Sequence, residues 1–280
     1  MLVADPVHVR SWRAQLALRY ERRGRRTVLA SRRHDGPLVV QRPLYPEGDE
    51  ICHTIVVHPP AGIAGGDELD IAVGVESGAH AVLTTPGAGK WYRSGGPWAQ
   101  QRIAFDAAPG ACLEWLPQET IVFDGALADA RLEVRLLGDA AFIGWEVLCL
   151  GRGGSGERFT RGEYRPWTRL WRDGAPLWHE HGRIEGGGAL LASPAGFHGC
   201  NVCATLLAAA PCANRVLANA CRDERPAEGN HAVTLLPGVL VARYLGNSSA
   251  AAKAYFVRLW RRLRPALAGC DAVEPRIWLT

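Results

Sequence analysis

Residues 58–125 carry three polar elements punctuated by Gly and Pro: HPPAGIAGGD (58–67), TTPGAGKWYRS (84–94) and LPQETIVFDG (116–125). Between them lie short runs at 69–76, 79–85 and 111–116, which are rich in β-branched residues and bounded by Gly, Pro or Asp. Short strands separated by turn residues are typical of a β-dominated body. The stretch therefore predicts a β-rich fold with polar segments between its strands.

The same pattern continues on both sides of this stretch, predicting strands at 26–31, 38–42, 52–58, 131–137 and 141–150. A hairpin is predicted for residues 165–172 and 175–184, because Asp173-Gly174 is a dipeptide that favours tight turns between antiparallel strands. Pro166 and Pro176 lack a backbone N–H, so they place both hairpin strands at a sheet edge. We expect this hairpin to face solvent or a partner.

Helical patterns are confined to the last third of the chain. Residues 212–224 bring small apolar side chains to one face, which predicts a short amphipathic helix. Residues 249–263 carry a longer apolar stripe, for which Ser248 or Ser249 is the expected cap and Pro265 the expected end. The pattern predicts about two α-helices in the C-terminal third.

Composition narrows the function classes. The chain has 280 residues, 48% of them hydrophobic, with no repeat or linker, which indicates a single domain over residues 1–280. Its net charge is +4 without a long basic run, so nucleic-acid binding is not expected. Residues 1–12 lack an apolar signal region and no window reaches the about 18 apolar residues of a membrane span. We expect a cytoplasmic protein with its eight cysteines reduced.

Two glycine-rich segments imitate nucleotide sites. PGAGK (86–90) lacks the early glycine and the Ser or Thr after the lysine that a phosphate loop requires, since Thr84 and Trp91 occupy those positions. GRGGSG (151–156) matches G-x-G-x-x-G, but Gly162 and Pro166 interrupt the region where a dinucleotide site needs a helix. A nucleotide-binding enzyme that uses the Lys90 loop remains an alternative hypothesis.

A second alternative is a Cys-based metal-storage protein. Cys200 and Cys203 have a spacing suited to zinc, but Cys212 and Cys221 are too far apart to supply the second pair of ligands of a structural site. Small buried cysteines are the ordinary interpretation of such a pair. Serine-based hydrolase chemistry has no positive signal, because no serine lies in G-x-S-x-G.

Acidic and histidine side chains beside glycines or strand ends form a scattered candidate set. Carboxylate and imidazole are ligands that nickel accepts, and a carrier that must release its metal needs few, loosely placed ligands. For any single member, a solvated charge or a turn cap is the simpler interpretation. The set comprises His58, Asp67, Glu119, Asp124, Glu146, Glu157, Glu163, His179, Glu180 and His181.

An ordered set of motifs resembles the UreD (UreH) family of urease accessory proteins, from about His58 to the C-terminus. The first 50 or so residues carry a weaker likeness, and the Cys200 and Cys203 pair is not part of it. The motifs are Gly65-Gly66-Asp67, Thr84-Thr85-Pro86-Gly87 with Lys90 and Tyr92, LPQETIVFD (116–124), Gly151-Arg152 with Gly156-Glu157, SPAG (193–196) and PRIWLT (275–280).

This resemblance implies a mainly β fold of stacked β-sheets in a β-helix-like arrangement. It also implies a non-enzymatic chaperone that binds the urease apoprotein subunits and, through UreF, recruits the GTPase UreG. Nickel would be inserted into the urease active site by this complex and would cross a water-filled passage in the chain. Nickel would therefore be bound transiently, with no tightly bound cofactor.

The resemblance also directs attention to particular residues. Asp67 and Glu180 are the leading candidates for the nickel pathway, followed by Glu146 and Glu157. Other motif residues are expected to contact partners. These are Lys90, Tyr92, Glu119, Asp124 and Arg152.

Overall fold

The structure is a computed structural model that describes residues 11–279 and is mainly β. The prediction that the chain has no secretion signal concerned residues 1–12, and residues 1–10 lie outside the described range. The described part contains eighteen strands: β1 (Arg13–Arg23), β2 (Arg26–Asp35), β3 (Val39–Val40), β4 (Ile51–Val57), β5 (Glu68–Val75), β6 (His80–Thr84), β7 (Gly89–Trp91), β8 (Ala99–Ala107), β9 (Cys112–Trp115), β10 (Thr120–Val122), β11 (Leu127–Leu136), β12 (Ala141–Leu150), β13 (Glu163–Arg172), β14 (Ala175–His181), β15 (Ile184–Glu185), β16 (Val202–Ala209), β17 (Asn230–Leu236) and β18 (Val239–Gly246).

The strands form two sheets. The first has eight strands in the order β14-β13-β11-β8-β5-β1-β2, with β15 paired to β13. The second has ten, in the order β17-β18-β16-β12-β9-β6-β4-β3, with β10 joining β12 and β7. From β4 to β13 the chain alternates between the sheets, and the strands β4, β6, β9 and β12 pair in parallel, as do β5, β8, β11 and β13. This stacked-coil arrangement confirms the expected fold class.

The pattern of buried and exposed residues shows which face of each strand points into the core. In β1, Ala14, Leu16, Leu18 and Tyr20 are buried while their neighbours are exposed, because successive side chains point to opposite faces. In β12 nearly every residue is buried, since a helix covers the outer face of the second sheet. The core therefore has two parts, one between the sheets and one between the second sheet and that helix.

The helices are α1 (Ala189–Ala192), α2 (Arg215–Arg222) and α3 (Ser249–Ala268), with short 3₁₀ turns at Gly153–Ser155 and Arg276–Leu279. The prediction of two C-terminal helices is confirmed, with the four-residue α1 in addition. Ser248 caps α3, as expected: its hydroxyl accepts a hydrogen bond from the Ala251 N–H at 3.1 Å. In the described part, no helix has the length and apolar character needed to cross a membrane.

The prediction that Pro265 ends α3 is wrong. The helix runs on to Ala268 and stops at Gly269, whose φ of 69° is left-handed. Proline removes a helical hydrogen bond but keeps a helical φ, so packing on both sides can retain it. Arg264 and Leu267 are both buried, and these contacts hold the last turn in place.

The hairpin of β13 and β14 turns at Asp173 and Gly174, as predicted, and both residues have positive φ. Pro176 lies on β14, an edge strand, as expected. Pro166 does not lie on an edge strand, because β13 has β11 on one side and both β14 and β15 on the other. The Pro166 carbonyl accepts a hydrogen bond from the Gly182 N–H at 2.9 Å. Gly182 lies between β14 and β15, where the backbone hydrogen bonding along β13 is interrupted, so residue 166 does not need an N–H donor there.

Candidate functional site

A cavity of about 1040 Å³ lies between the two sheets. Ile71 of β5 and Ile103 of β8 line it from the first sheet, and Trp115 of β9 and Phe142 of β12 line it from the second. The wall is mostly apolar, but it carries a set of charged and polar side chains. These include His58, Lys90, Glu119, Glu146, Glu180, Cys203, His231 and Arg243.

Glu146 is the acidic residue that interrupts the buried run of β12. Its Oε1 accepts a hydrogen bond from the Tyr164 hydroxyl at 2.8 Å. Burial raises the pKa of the Glu146 carboxyl, and the charge of Glu180 acts in the same direction. The residue is therefore a cavity-lining carboxyl with unused acceptor capacity and a raised affinity for a proton.

Glu180 enters the cavity from the edge strand β14. Its Oε1 forms an ion pair with Nη2 of Arg243 on β18 at 2.9 Å, which joins the two sheets across the cavity. The Arg243 guanidinium also lies 5.6 Å from the centre of the Trp178 ring. A cation that binds Glu180 must therefore compete with Arg243.

Cys203 and His58 add softer ligands to the same cavity. Burial raises the pKa of the Cys203 thiol to about 11, with Arg243 opposing and Glu180 supporting the shift. Burial lowers the pKa of His58, which favours a neutral ring, and its buried Nε2 has no hydrogen-bond partner. A neutral imidazole with a free nitrogen is a common metal ligand.

Lys90 and Glu119 also line the cavity, but Lys90 does not lie in a phosphate loop. It belongs to β7, which pairs in parallel with β10, and Gly89 N–H donates to the Glu119 carbonyl at 2.9 Å. Phosphate loops place their N–H groups at the start of a helix. Residues 91–107 form strand and loop instead, so this geometry lends no support to the nucleotide hypothesis.

Asp67 is buried but is not among the residues that line the cavity. Its two carboxylate oxygens accept hydrogen bonds from the backbone N–H groups of Trp12, at 2.7 Å, and Ala64, at 2.8 Å. These bonds join the start of β1 to the loop before β5. The carboxylate therefore has a structural role here, and its place on a nickel pathway remains a prediction.

Tyr92 packs in the neighbouring loop region. Its ring meets Phe123 edge-on, with ring centres 5.2 Å apart. A Cβ on Gly62 would lie 2.4 Å from the Tyr92 ring, so the glycine permits this close approach. The structure thus accounts for Tyr92 by packing, and its contact with a partner remains a prediction.

Asp124, Arg152 and Glu157 come together in a separate surface pocket of about 280 Å³ with Arg93 and Phe123. Arg152 and Glu157 form an ion pair at 3.0 Å, and the Arg152 guanidinium stacks over Phe123 at 4.6 Å. The glycine loop that precedes Glu157 contains a 3₁₀ turn, not the start of an α-helix. Of the predicted residues, four line the cavity (Lys90, Glu119, Glu146 and Glu180), three line this surface pocket, and Asp67 and Tyr92 line neither.

Sequence reasoning missed one further group of ligand-type residues. Within residues 11–279, His80, Cys112 and Glu114 form a group of such side chains whose ligand atoms all lie within 4.8 Å of one another. Cys200 and Cys203 are not in it. His80 and Val82, like Cys112 and Glu114, are two residues apart and so lie on one face of their strand, which the sequence shows. The sequence does not show that the two strands pair.

Comparison with known proteins gives a consistent result. A family model described as "UreD urease accessory protein" matches residues 13–279. The urease accessory protein UreD of Azoarcus sp. (strain BH72) is 59% identical over 271 residues, covering 96% of this chain and 94% of that protein. That of Dechloromonas aromatica (strain RCB) is 55% identical over 282 residues, covering 99% and 98%. That of Pseudomonas fluorescens (strain Pf-5) is 51% identical over 270 residues, covering 96% of each. The chain therefore belongs to the UreD family of urease accessory proteins.

Proposed function

We propose that this chain acts in the cytoplasm as a non-catalytic chaperone of urease maturation. It binds the urease apoprotein subunits and, through UreF, the GTPase UreG. Nickel is the cargo of this assembly and crosses the chain through the cavity between the two sheets. The chain holds no resident cofactor in this role.

The observation that carries this proposal is the polar lining of the cavity. Glu146, Glu180, His58 and Cys203 offer carboxylate, imidazole and thiol ligands along one cavity. Nickel accepts all three ligand types. Among residues 11–279, these four side chains are not part of a compact group of metal ligands, which suits an ion that must be released.

The state of each ligand in the free chain also fits a transient cargo. Glu146 has a raised pKa and Glu180 is neutralised by Arg243, so the cavity does not hold two unpaired buried charges. An incoming divalent cation favours the ionised form of Glu146 and competes with Arg243 for Glu180. Binding therefore breaks the ion pair between Glu180 and Arg243, which re-forms on release.

The surface pocket of Asp124, Arg152 and Glu157 supports the partner-binding part of the proposal. It is charged, it lies apart from the cavity, and Arg152 presents a guanidinium beside an aromatic ring. Arginine suits recognition of carboxylates on a partner surface. Copurification of urease subunits and UreF with the wild-type chain, and their loss with Arg152→Glu, would support this assignment.

Urease activation under limiting nickel tests the passage. Glu146→Gln and Glu180→Gln should each reduce urease activity and nickel content to a small fraction of the wild-type value, while the accessory complex still copurifies. Asp106→Asn, an exposed acid on β8, is the control and should activate urease normally. Normal activation by both cavity variants would remove the cavity from the proposed function.

A further inference from the structure

A second group of metal-ligand side chains lies on the opposite face of the second sheet from the cavity. β6 and β9 pair in parallel, with His80 opposite Cys112 and Val82 opposite Glu114. Because side chains alternate along a strand, His80, Cys112 and Glu114 share one face. Trp115, the next residue along β9, faces the cavity. The group is thus separated from the proposed nickel route by the sheet itself.

The three side chains are close enough to share one ion. Their ligand atoms lie within 4.8 Å of one another, and all three residues are buried. His80 Nε2 and Glu114 Oε1 are 2.6 Å apart. Zinc–nitrogen and zinc–oxygen bonds are about 2.0–2.2 Å long. An ion could therefore replace the proton between them after a small outward shift of both atoms.

Cys270 is the candidate for a fourth ligand. It follows Gly269, the left-handed residue that ends α3, and its side chain interacts with the His80 ring, as does that of Cys112. Its sulfur lies outside the group of ligand atoms within 4.8 Å of one another, so it would have to move inward to bind the same ion. The set then contains two thiols, one imidazole and one carboxylate. Zinc binds each of these ligand types, and structural zinc sites usually have four ligands.

The groups around Glu114 resemble the outer shell of a metal site. Trp260 Nε1 donates to Glu114 Oε2, and Arg264 Nε donates to Oε1 at 2.9 Å. Ligating carboxylates in proteins are held in this way by hydrogen bonds that fix their orientation. The indole and the guanidinium both come from α3, so the helix that supplies these donors also leads into Cys270.

We propose that His80, Cys112, Glu114 and Cys270 form a binding site for a thiophilic divalent cation of the zinc type. The ion joins β6 and β9 to the segment after α3. Each thiol binds the ion as a thiolate, so metal binding releases its proton. This site is structural and distinct from the transient nickel passage, so it stands or falls independently of the proposed function.

Metal titration of the purified, metal-stripped full chain tests the site. Cobalt(II) is the spectroscopic probe, because a cobalt–thiolate bond gives a charge-transfer absorption band, and zinc retained after dialysis gives the stoichiometry. We expect one equivalent per chain and a thiolate–cobalt band that zinc displaces. Absence of the band from the folded wild-type chain would overturn the proposal.

Cysteine variants locate the ion. Cys112→Ser and Cys270→Ser should each lose the band or shift its intensity, while Cys149→Ser and Cys203→Ser keep it unchanged. Cys270 lies outside the strands and helices, so its variant tests the site even if Cys112→Ser fails to fold. Loss of the band in Cys203→Ser, or its persistence unchanged in Cys270→Ser, would contradict the assignment.

A positioning variant separates a metal site from a buried ion pair with packed thiols. Trp260→Phe removes one donor to Glu114 and leaves all four ligands in place. Loss of such an outer-shell bond lowers metal affinity by about 10–100-fold. We expect that decrease in zinc affinity in competition with a chelator. An unchanged affinity would show that the ion, if bound, does not use Glu114.

Discussion

Asp124 shows how the donors around a carboxylate decide its role. It accepts five hydrogen bonds from Thr160 and Arg161, two of them from backbone N–H groups. Asp67 is likewise engaged by backbone N–H groups, whereas Glu146 is held by the side chains of Tyr164 and Thr120. A carboxylate that fixes the backbone is less available to a mobile cation. On this criterion Glu146 and Glu180 are better candidates than Asp67 for the proposed nickel route.

Asp124→Asn should lower the free energy of unfolding at pH 7 by about 2 kcal/mol. Burial opposes ionisation, but the bonds from Thr160 and Arg161 outweigh it and lower the pKa of Asp124 from 3.8 to about 2. Each unit of pKa shift corresponds to about 1.4 kcal/mol. The measurement is urea unfolding of both proteins.

The difference in the free energy of unfolding between wild type and Asp124→Asn should depend on pH. Because the folded-state pKa is the lower one, the stabilisation is fully present above pH 3.8 and is lost as the pH falls towards 2. The difference in the free energy of unfolding between wild type and Asp124→Asn should therefore decrease over that pH range. Asp106→Asn, with a 60% exposed carboxylate, is the control and should match wild type throughout. Equal stabilities at pH 7 for all three proteins would contradict the interpretation.

At the scale of elements, the sequence predicts where strands and helices occur better than it predicts which of them lie next to one another. The β-branched runs at 52–58, 69–76 and 141–150 are strands as expected. β1 and β8 were not predicted, although β1 alternates regularly between buried and exposed residues. Its apolar positions are filled partly by Ala14 and Tyr20, and arginines between them dilute the hydrophobic signal.

Pairing between distant strands could not be predicted. His80 lies opposite Cys112 because β6 and β9 occupy successive coils in register. The segment between them contains β7 and β8, so the register is set only when these strands take their places in the fold. The cavity depends on the spacing of two whole sheets for the same reason. The continuation of α3 past Pro265 depends on buried contacts of Arg264, which a local helix-breaking rule does not contain.

Arg264→Met tests how α3 is held on the second sheet. The guanidinium is fully buried and forms ion pairs with Glu47 and Glu114, at 2.9 Å for the latter. Its removal leaves two buried carboxylates without the guanidinium, each with only a histidine ring as its remaining basic partner. Breaking a buried pair in this way costs about 3–5 kcal/mol. We expect a decrease of that size in the free energy of unfolding by urea.

The matched control lies one turn earlier on the same helix. Arg261 is 56% exposed and pairs with Glu274, so Arg261→Met should cost less than about 1 kcal/mol. Both substitutions remove one arginine from α3 and add the same side chain. If the two variants were equally stable, the buried network would not be what anchors the helix.

At the scale of the whole molecule, the alternation of the chain between two sheets produces a cavity between them with polar groups along its wall. Each coil contributes one strand to each wall, so residues far apart in sequence, such as Glu146 and Glu180, come close together. The fold can therefore place ligands along a continuous interior without an active-site loop. For such a space to carry an ion, water must reach it.

Thiol labelling measures that access. Cys203 lines the cavity, whereas Cys221 is fully buried between α2 and the surrounding core. Burial raises the pKa of both thiols to about 11, so neither ionises readily at pH 7. A difference in their reaction rates of several orders of magnitude therefore reports access of the reagent. A small water-soluble methanethiosulfonate should modify Cys203 much faster than Cys221, as followed by peptide mass spectrometry.

A blocking variant completes this test. Thr205 lies two residues from Cys203 on β16 and also lines the cavity, so Thr205→Trp should fill the space beside the thiol and slow its labelling. Labelling of the exposed Cys212 is the internal control and should not change in that variant. Equal rates at Cys203 and Cys221 in the wild-type chain would mean that water does not enter the cavity, and a passage for hydrated nickel would then require opening by a partner.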